Sequence, residues 1–168
     1  MAEQFFAKST EELTDPDALS SKSGLEFMQA VLDGTHPMPP ICKPMNFQLE
    51  KVAPGHAVFL GAPEFAHCNP MGGVHGGWYG TLLDSAMGCA VMTCVPKGMV
   101  YTTLEYKVNI VRPIRVGTDI VAEAKVSHAG RSTGVAEGTI RGASDGQLYA
   151  TGSTTCIIMT LDKPDQRS

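Results

Sequence analysis

The chain has 168 residues, enough for one domain with a substantial core. A net charge of -4 and the absence of any basic block exclude nucleic acid or an anionic membrane as a partner. Charged residues make up only 18%, below the ~25% of a typical soluble domain, so another copy of the chain is expected to cover part of the surface.

In chain order, MAEQFFAKSTEELTD is acidic and polar, without the basic start and apolar core of a signal peptide, and a cytoplasmic location is expected. Cys42, Cys68, Cys89, Cys94 and Cys156 are odd in number and form no CxxC pair, which predicts reduced thiols and no metal site. Residues 1–20 are weakly periodic, with a break at Asp15-Pro16, and predict a loose or short helical lead-in. Leu25, Met28, Val31 and Leu32 then share one face of a short amphipathic helix that stops at Gly34. HPMPPICKP (36–44) holds four prolines in nine residues and is expected to be irregular and extended.

Residues 45–52 and 56–62 read as a strand pair joined at the turn signal Pro54-Gly55, and 63–73 as loop. From Val74 to Val95, apolar residues recur at helical spacing: Tyr79, Leu82, Leu83, Ala86, Met87, Ala90, Val91 and Cys94. The other face is small rather than polar, so this helix is expected to be buried nearly all round and closed by Pro96 and Gly98. Trp78 to Val95 approaches membrane-spanning length, but Asp84, its glycines and its hydroxyls point to a buried helix instead. Trp78, Tyr79 and Tyr106 are candidates for the floor of an aromatic or medium-chain pocket.

Four strand-like runs follow. In 101–111, Leu104, Tyr106, Val108 and Ile110 alternate with Thr103, Glu105, Lys107 and Asn109. In 118–129, Ile120, Ala122, Ala124 and Val126 form one face. Runs 132–143 and 147–161 complete the set, with turns at Gly130-Arg131 and Asp145-Gly146. The expected organisation is a helical and irregular extension over 1–44, a main domain over 45–161 and a polar tail over 162–168. With a single helix apolar enough to cover an antiparallel sheet, the class is α+β, a sheet curled around one long central helix.

Asp84 is the ionisable group in the middle of that helix, and a carboxylate in apolar surroundings needs a partner or a use. It is either hydrogen-bonded to a nearby group or chemically active. Gly76-Gly77 is either a plain tight turn or a pair of free backbone N–H groups at the positive helix end, suited to a developing oxyanion. Asp84 lies seven residues beyond Gly77, roughly 10 Å up the axis. It is poorly placed for a substrate at its own helix's N-terminus but could serve one held at the N-terminus of a second, antiparallel copy of the helix, and that pairing would need a dimer.

The pattern N-P-x-G-x-V-H-G-G-x6-D-S-A-M-G-x-A-V, running from Asn69 to Val91, resembles the hotdog-fold acyl-CoA thioesterases of the phenylacetic-acid-degradation (PaaI-type) group. Val111-Arg112-Pro113-Ile114, Gly117, Gly130-Arg131 and Ala136-Glu137-Gly138 are also similar to that family, over roughly residues 45 to 160. The resemblance implies a hotdog fold and hydrolysis of an acyl-CoA thioester to free acid and coenzyme A. It implies no metal and no organic cofactor, coenzyme A being part of the substrate. Asp84 would be the nucleophile or the general base, and the Gly76 amide would polarise the thioester carbonyl. Asn69 would position substrate or water, and His75 would line the site. Gly77, Thr103 and Arg131 would contact substrate, Thr103 with a hydroxyl near the acid and Arg131 through a phosphate of coenzyme A. A homodimer, and a dimer of dimers, is implied.

Two other functions fit parts of the pattern. A non-catalytic acyl-CoA-binding module keeps the HGG turn without needing Asp84. A hotdog dehydratase places its His and acid differently. His67-Cys68 lacks a third ligand at metal spacing. The nine methionines are read as adaptable core or acyl-pocket filler.

Overall fold

The computed structural model describes residues 4–160, so the tail from 162 and the last residue of the 147–161 run lie outside the described residues. Six strands form one antiparallel sheet: β1 (Phe47–Ala53), β2 (His56–Gly61), β3 (Met99–Ile110), β4 (Ile120–Ala129), β5 (Thr133–Gly142) and β6 (Leu148–Thr160). Their spatial order is β1-β2-β4-β5-β6-β3, which leaves β1 and β3 as edges. Three α-helices accompany them: α1 (Pro16–Ser20), α2 (Gly24–Leu32) and α3 (Gly76–Met92). The expected hotdog arrangement is the one observed, with α3 packed against β2, β3, β4, β5 and β6.

Side-chain alternation explains how the sheet closes on α3. Phe47 and Leu49, Ala57 and Phe59, Ile120, Ala122 and Ala124, Ala136 and Ile140, and Ala150, Cys156 and Ile158 all point inward. Most of these near α3 are small, and glycine completes the trough. A Cβ on Gly138 would stand 3.1 Å from Leu83 and from Met87, and one on Gly134 would stand 2.6 Å from Val91. Leu83, Met87 and Val91 recur every four residues on α3, so one ridge of the helix fits a groove from which side chains are missing.

Between Asp15-Pro16 and the main strands, the lead-in is helical. Asp15 accepts from the Asp17 N–H at 2.8 Å and Pro16 opens α1, so the break expected there is a helix start. Ser23 and Glu26 form a capping box at the head of α2. Segment 36–44 is irregular except for a 3₁₀ turn at Pro40–Cys42 and a bridge from Met38 to Phe6.

Two expectations change. α3 stops at Met92, short of Pro96, because Thr93 turns its hydroxyl onto the Ala90 carbonyl at 2.6 Å and accepts the Gly55 N–H at 2.8 Å. In β3, the alternation breaks at Leu104. A bulge between Thr103 and Glu105 leaves Leu104 without a ladder partner and turns it outward. The face toward α3 is therefore Tyr101, Thr103, Tyr106, Val108 and Ile110, and the Glu105 carbonyl at the bulge accepts the Thr154 hydroxyl at 2.7 Å.

Candidate active site

The described chain leaves one side of α3 partly open. Thr81, Asp84, Ser85 and Cys89 are half-buried, while Leu82, Leu83, Ala86, Met87, Ala90 and Val91 are fully buried. The helix is thus not buried all round, and the open stripe carries its acid. Beside the stripe, β3 runs antiparallel and meets α3 at every fourth residue. Ile110 stands 3.6 Å from the Cβ position of Gly76, Tyr106 lies 3.3 Å from that of Gly80, and Tyr101 lies 2.6 Å from that of Gly88. Between these contacts, the Thr103 hydroxyl donates to Asp84 Oδ1 at 3.0 Å.

Asp84 has no cationic partner among the described residues. Its nearest ionisable neighbours stay neutral. Burial pushes the Cys89 thiol up to about 12, and the charges of Cys42 and Asp84 act in the same direction. Burial also raises Tyr101 well above the ordinary phenol range and lifts Cys156, with Asp84 adding to both. The carboxylate is therefore held by a hydroxyl, in a neutral neighbourhood, on the accessible side of the helix. Such a group is free to accept a proton or to attack a carbonyl.

The second group gathers at the helix N-terminus. His75 is the N-cap, with φ -64° and ψ 139°, and its Nδ1 accepts the Gly77 N–H at 2.9 Å. Only one of the two glycine amides expected to be free remains so. The Gly76 N–H opens the helix without a protein partner among the described residues. Gly77 matters instead for His75, whose Nδ1 stands 3.0 Å from where a Gly77 Cβ would be. His75, Gly76 and Gly77 are all exposed. Asn69 lies just upstream, and its Oδ1 accepts the N–H groups of Met71 and Gly73 at 2.9 and 3.2 Å. That oxygen shapes the loop entering α3, and only the amide nitrogen is left for another partner.

Gly76 and Asp84 are separated by eight residues, about 12 Å along the axis. One chain does not bring them together. Thr103, whose hydroxyl the resemblance places near the acid, bonds Asp84 itself. Arg131 is exposed at the β4–β5 turn, beside the C-terminal half of α3 and away from Gly76 of its own chain. Trp78 and Tyr79 are buried, Trp78 lining a cleft with His75, Gly77 and Thr81 and Tyr79 lining another with Ile110 and Arg112. Trp78 donates to the Met45 carbonyl at 2.9 Å, and the Tyr79 hydroxyl accepts the Ile114 N–H at 2.8 Å. Tyr106, over Gly80, stays half-exposed and is the aromatic that faces the open stripe.

His67 is also structural. Its Nδ1 accepts the Glu64 N–H at 2.8 Å, and its Nε2 donates to the Pro44 carbonyl at 2.6 Å. Among the described residues, no three His, Cys, Asp or Glu side chains converge as a metal-ligand set, and no helix is long and apolar enough to cross a membrane.

Residues 71–149, which include both the N-terminal glycines and Asp84, match the thioesterase superfamily. The matched stretch, just under half of the chain, is what is similar to that superfamily. Human acyl-coenzyme A thioesterase 13 is 28% identical over 107 residues, covering 64% of this chain and 76% of that protein. The phenylacetic acid degradation-related protein of Ralstonia eutropha superposes with a TM-score of 0.71 at 26% identity, over 78% of this chain and 98% of its own. A thioesterase family protein of Silicibacter pomeroyi gives 0.66 at 27% identity, over 72% and 90%. The superfamily match begins at residue 71, so β1 and β2 as well as α1, α2 and the proline-rich segment lie before it.

Proposed function

We propose that this thioesterase hydrolyses acyl-coenzyme A, with each active site shared between two copies of the chain. The observation that carries this reading is Asp84 itself, a carboxylate on the open stripe of α3, braced by Thr103 and about 12 Å from the only free N–H at its own helix end. Antiparallel apposition of two such stripes brings each Asp84 toward the other copy's Gly76. The likeness to acyl-coenzyme A thioesterase 13 supports the choice of thioester.

The edge strand supports the dimer. β3 is twelve residues long and leaves Leu104, Tyr106 and Ile110 60%, 48% and 47% exposed. A long apolar edge of this kind is normally covered, and a two-fold partner covers it with an identical strand. A further pairing of dimers and a cytoplasmic location belong to the same reading.

In the reaction, the Gly76 N–H at the positive end of α3 polarises the thioester carbonyl and receives the developing oxyanion. Asp84 either takes a proton from the attacking water or attacks the carbonyl to give an anhydride that water then opens. The thiolate of coenzyme A leaves in both cases, and neither path uses a metal or an organic cofactor. His75 Nε2 and the Asn69 amide nitrogen, both unspent on the fold, border the carbonyl position. Arg131 meets a coenzyme A phosphate.

Release of free coenzyme A from phenylacetyl, benzoyl, hexanoyl and lauroyl thioesters tests this, with Asp84→Asn beside wild type and binding measured in parallel. Turnover by wild type and a loss of about a hundredfold or more in the variant, with binding retained, is the expected result. Binding by both proteins with no coenzyme A released sinks the hydrolytic reading and leaves an acyl-CoA-binding module.

A further inference from the structure

A cavity of about 370 Å³ lies between the N-terminal elements and the C-terminal half of α3. Leu19 of α1 and Phe27 and Val31 of α2 form one wall, and Cys89, Met92 and Tyr101 form the other. None of the lining residues is charged. Its size is at the lower end of the ~300–1,000 Å³ usual for small-molecule sites.

The outer wall is fixed in place. The Gly24 N–H donates to the Val95 carbonyl at 2.9 Å, and a Cβ on Gly24 would stand 1.8 Å from the Met92 carbonyl oxygen. The head of α2 therefore touches the α3 backbone as closely as only glycine allows. Met38, in the proline-rich segment, is held by its N–H to the Phe5 carbonyl at 2.8 Å and is fully buried.

Two of the lining residues, Cys89 and Tyr101, are close enough to Asp84 to feel its charge. Cys89 is on the same half-open stripe as Asp84, five residues and about 7.5 Å further along α3. Tyr101 is two residues from Thr103, the partner of Asp84. Cys89 is only half-buried and lines the cavity. The Tyr101 hydroxyl makes no hydrogen bond among the described residues, and with Thr14 it supplies the hydroxyls of an otherwise largely apolar chamber.

We propose that the elements preceding the sheet, α1, α2 and the proline-rich segment, wall an acyl-tail pocket that selects uncharged, apolar acyl groups of medium length. This rests on the thioesterase reading above, with the thioester carbonyl at Asp84 and the tail running past Cys89 toward Met92. A charged acyl terminus there would be desolvated without a partner.

The test is kcat/KM for acetyl-, hexanoyl-, decanoyl- and succinyl-CoA on the full chain, for wild type, Leu19→Trp and Phe27→Ala, with folding checked by thermal melting. Wild type is expected to prefer hexanoyl over both acetyl and succinyl. Leu19→Trp, which fills the chamber, should lower the decanoyl-to-acetyl ratio by about tenfold, and Phe27→Ala should raise the decanoyl-to-hexanoyl ratio. If Leu19→Trp fails to fold, Phe27→Ala decides alone. Turnover with the same chain-length profile in all folded proteins, or succinyl used as well as hexanoyl, overturns the pocket and leaves the hydrolytic reading standing. No coenzyme A release from any thioester overturns both.

Discussion

Thr103 Oγ1 donates to Asp84 Oδ1 at 3.0 Å, joining the middle of α3 to the strand beside it just before the β3 bulge. This bond replaces, at one rung, the contacts that Ile110, Tyr106 and Tyr101 make over Gly76, Gly80 and Gly88. It fixes the carboxylate's rotamer and leaves its other oxygen available. Thr103→Val keeps the shape but removes the donor. A hydrogen bond to a charged group is worth about 1.5–3 kcal/mol, so turnover should fall roughly tenfold or more. Thr103→Ser should restore most of it, since the hydroxyl is kept. Equal activity in the Val and Ser variants would show that Thr103 is only packing.

The hotdog architecture was legible because the two periods are clean, near 3.6 across Tyr79–Cys94 and near 2 across the last three strands. The paired residues behind the chemistry were less so. Leu104 matches the alternating pattern of its neighbours, and nothing local marks it as the extra residue of a bulge; the hydrogen bond found at the bulge comes from Thr154, 49 positions from Glu105. His75 as an N-cap had a local signal in its place before the helical run, yet its ring nitrogen competes for the Gly77 amide in a way that composition does not show. The cavity under α1 and α2 was hidden because it is built from segments far apart in sequence. The prolines of 36–44 indicated irregular structure but not what that structure covers.

Alkaline pH should destabilise the protein. Burial pushes the Cys42 thiol up from 9.0 to about 12 and raises the Tyr79 and Tyr101 phenols above 10.0. These groups hold their protons longer folded than unfolded. Their contribution is therefore complete below about pH 9 and is lost as pH rises from there toward 12. Each such thiol costs about 1.4 kcal/mol per pH unit across that window. Urea unfolding between pH 8 and 11 should show the decline, and Cys42→Ala should flatten its slope whatever it does to absolute stability. A stability that stays constant to pH 11 would contradict the burial of these groups.

Gly76 allows the oxyanion role to be separated from folding. It occupies the first helical position, where proline is favoured, and the preceding His75 already has a conformation that proline accepts. Gly76→Pro therefore removes the free N–H without breaking an intramolecular bond. Melting temperature should stay near wild type while kcat falls by about 10²–10³, the usual cost of one oxyanion donor. Gly76→Ala keeps the N–H, and its Cβ meets only Ile110 at 3.6 Å, an ordinary contact. It should be the more active of the two. If both variants lose activity equally, close approach of the acyl group matters and the N–H does not.

A site shared between copies makes a prediction that a site within one chain does not. Asp84→Asn and Gly76→Pro damage opposite halves of it. In a mixed dimer one site carries both lesions, and the other combines an intact Asp84 from one copy with an intact Gly76 from its mate. Random reassembly makes half the dimers mixed, each with one working site of two, so the mixture should recover about a quarter of wild-type activity. Each variant alone should stay near its own low level. Mixing them after brief dissociation and following coenzyme A release reads the result directly. A mixture no more active than the mean of its parents would place Asp84 and Gly76 of one chain in the same site. The 12 Å between them along a single helix would then have to be bridged by the substrate alone.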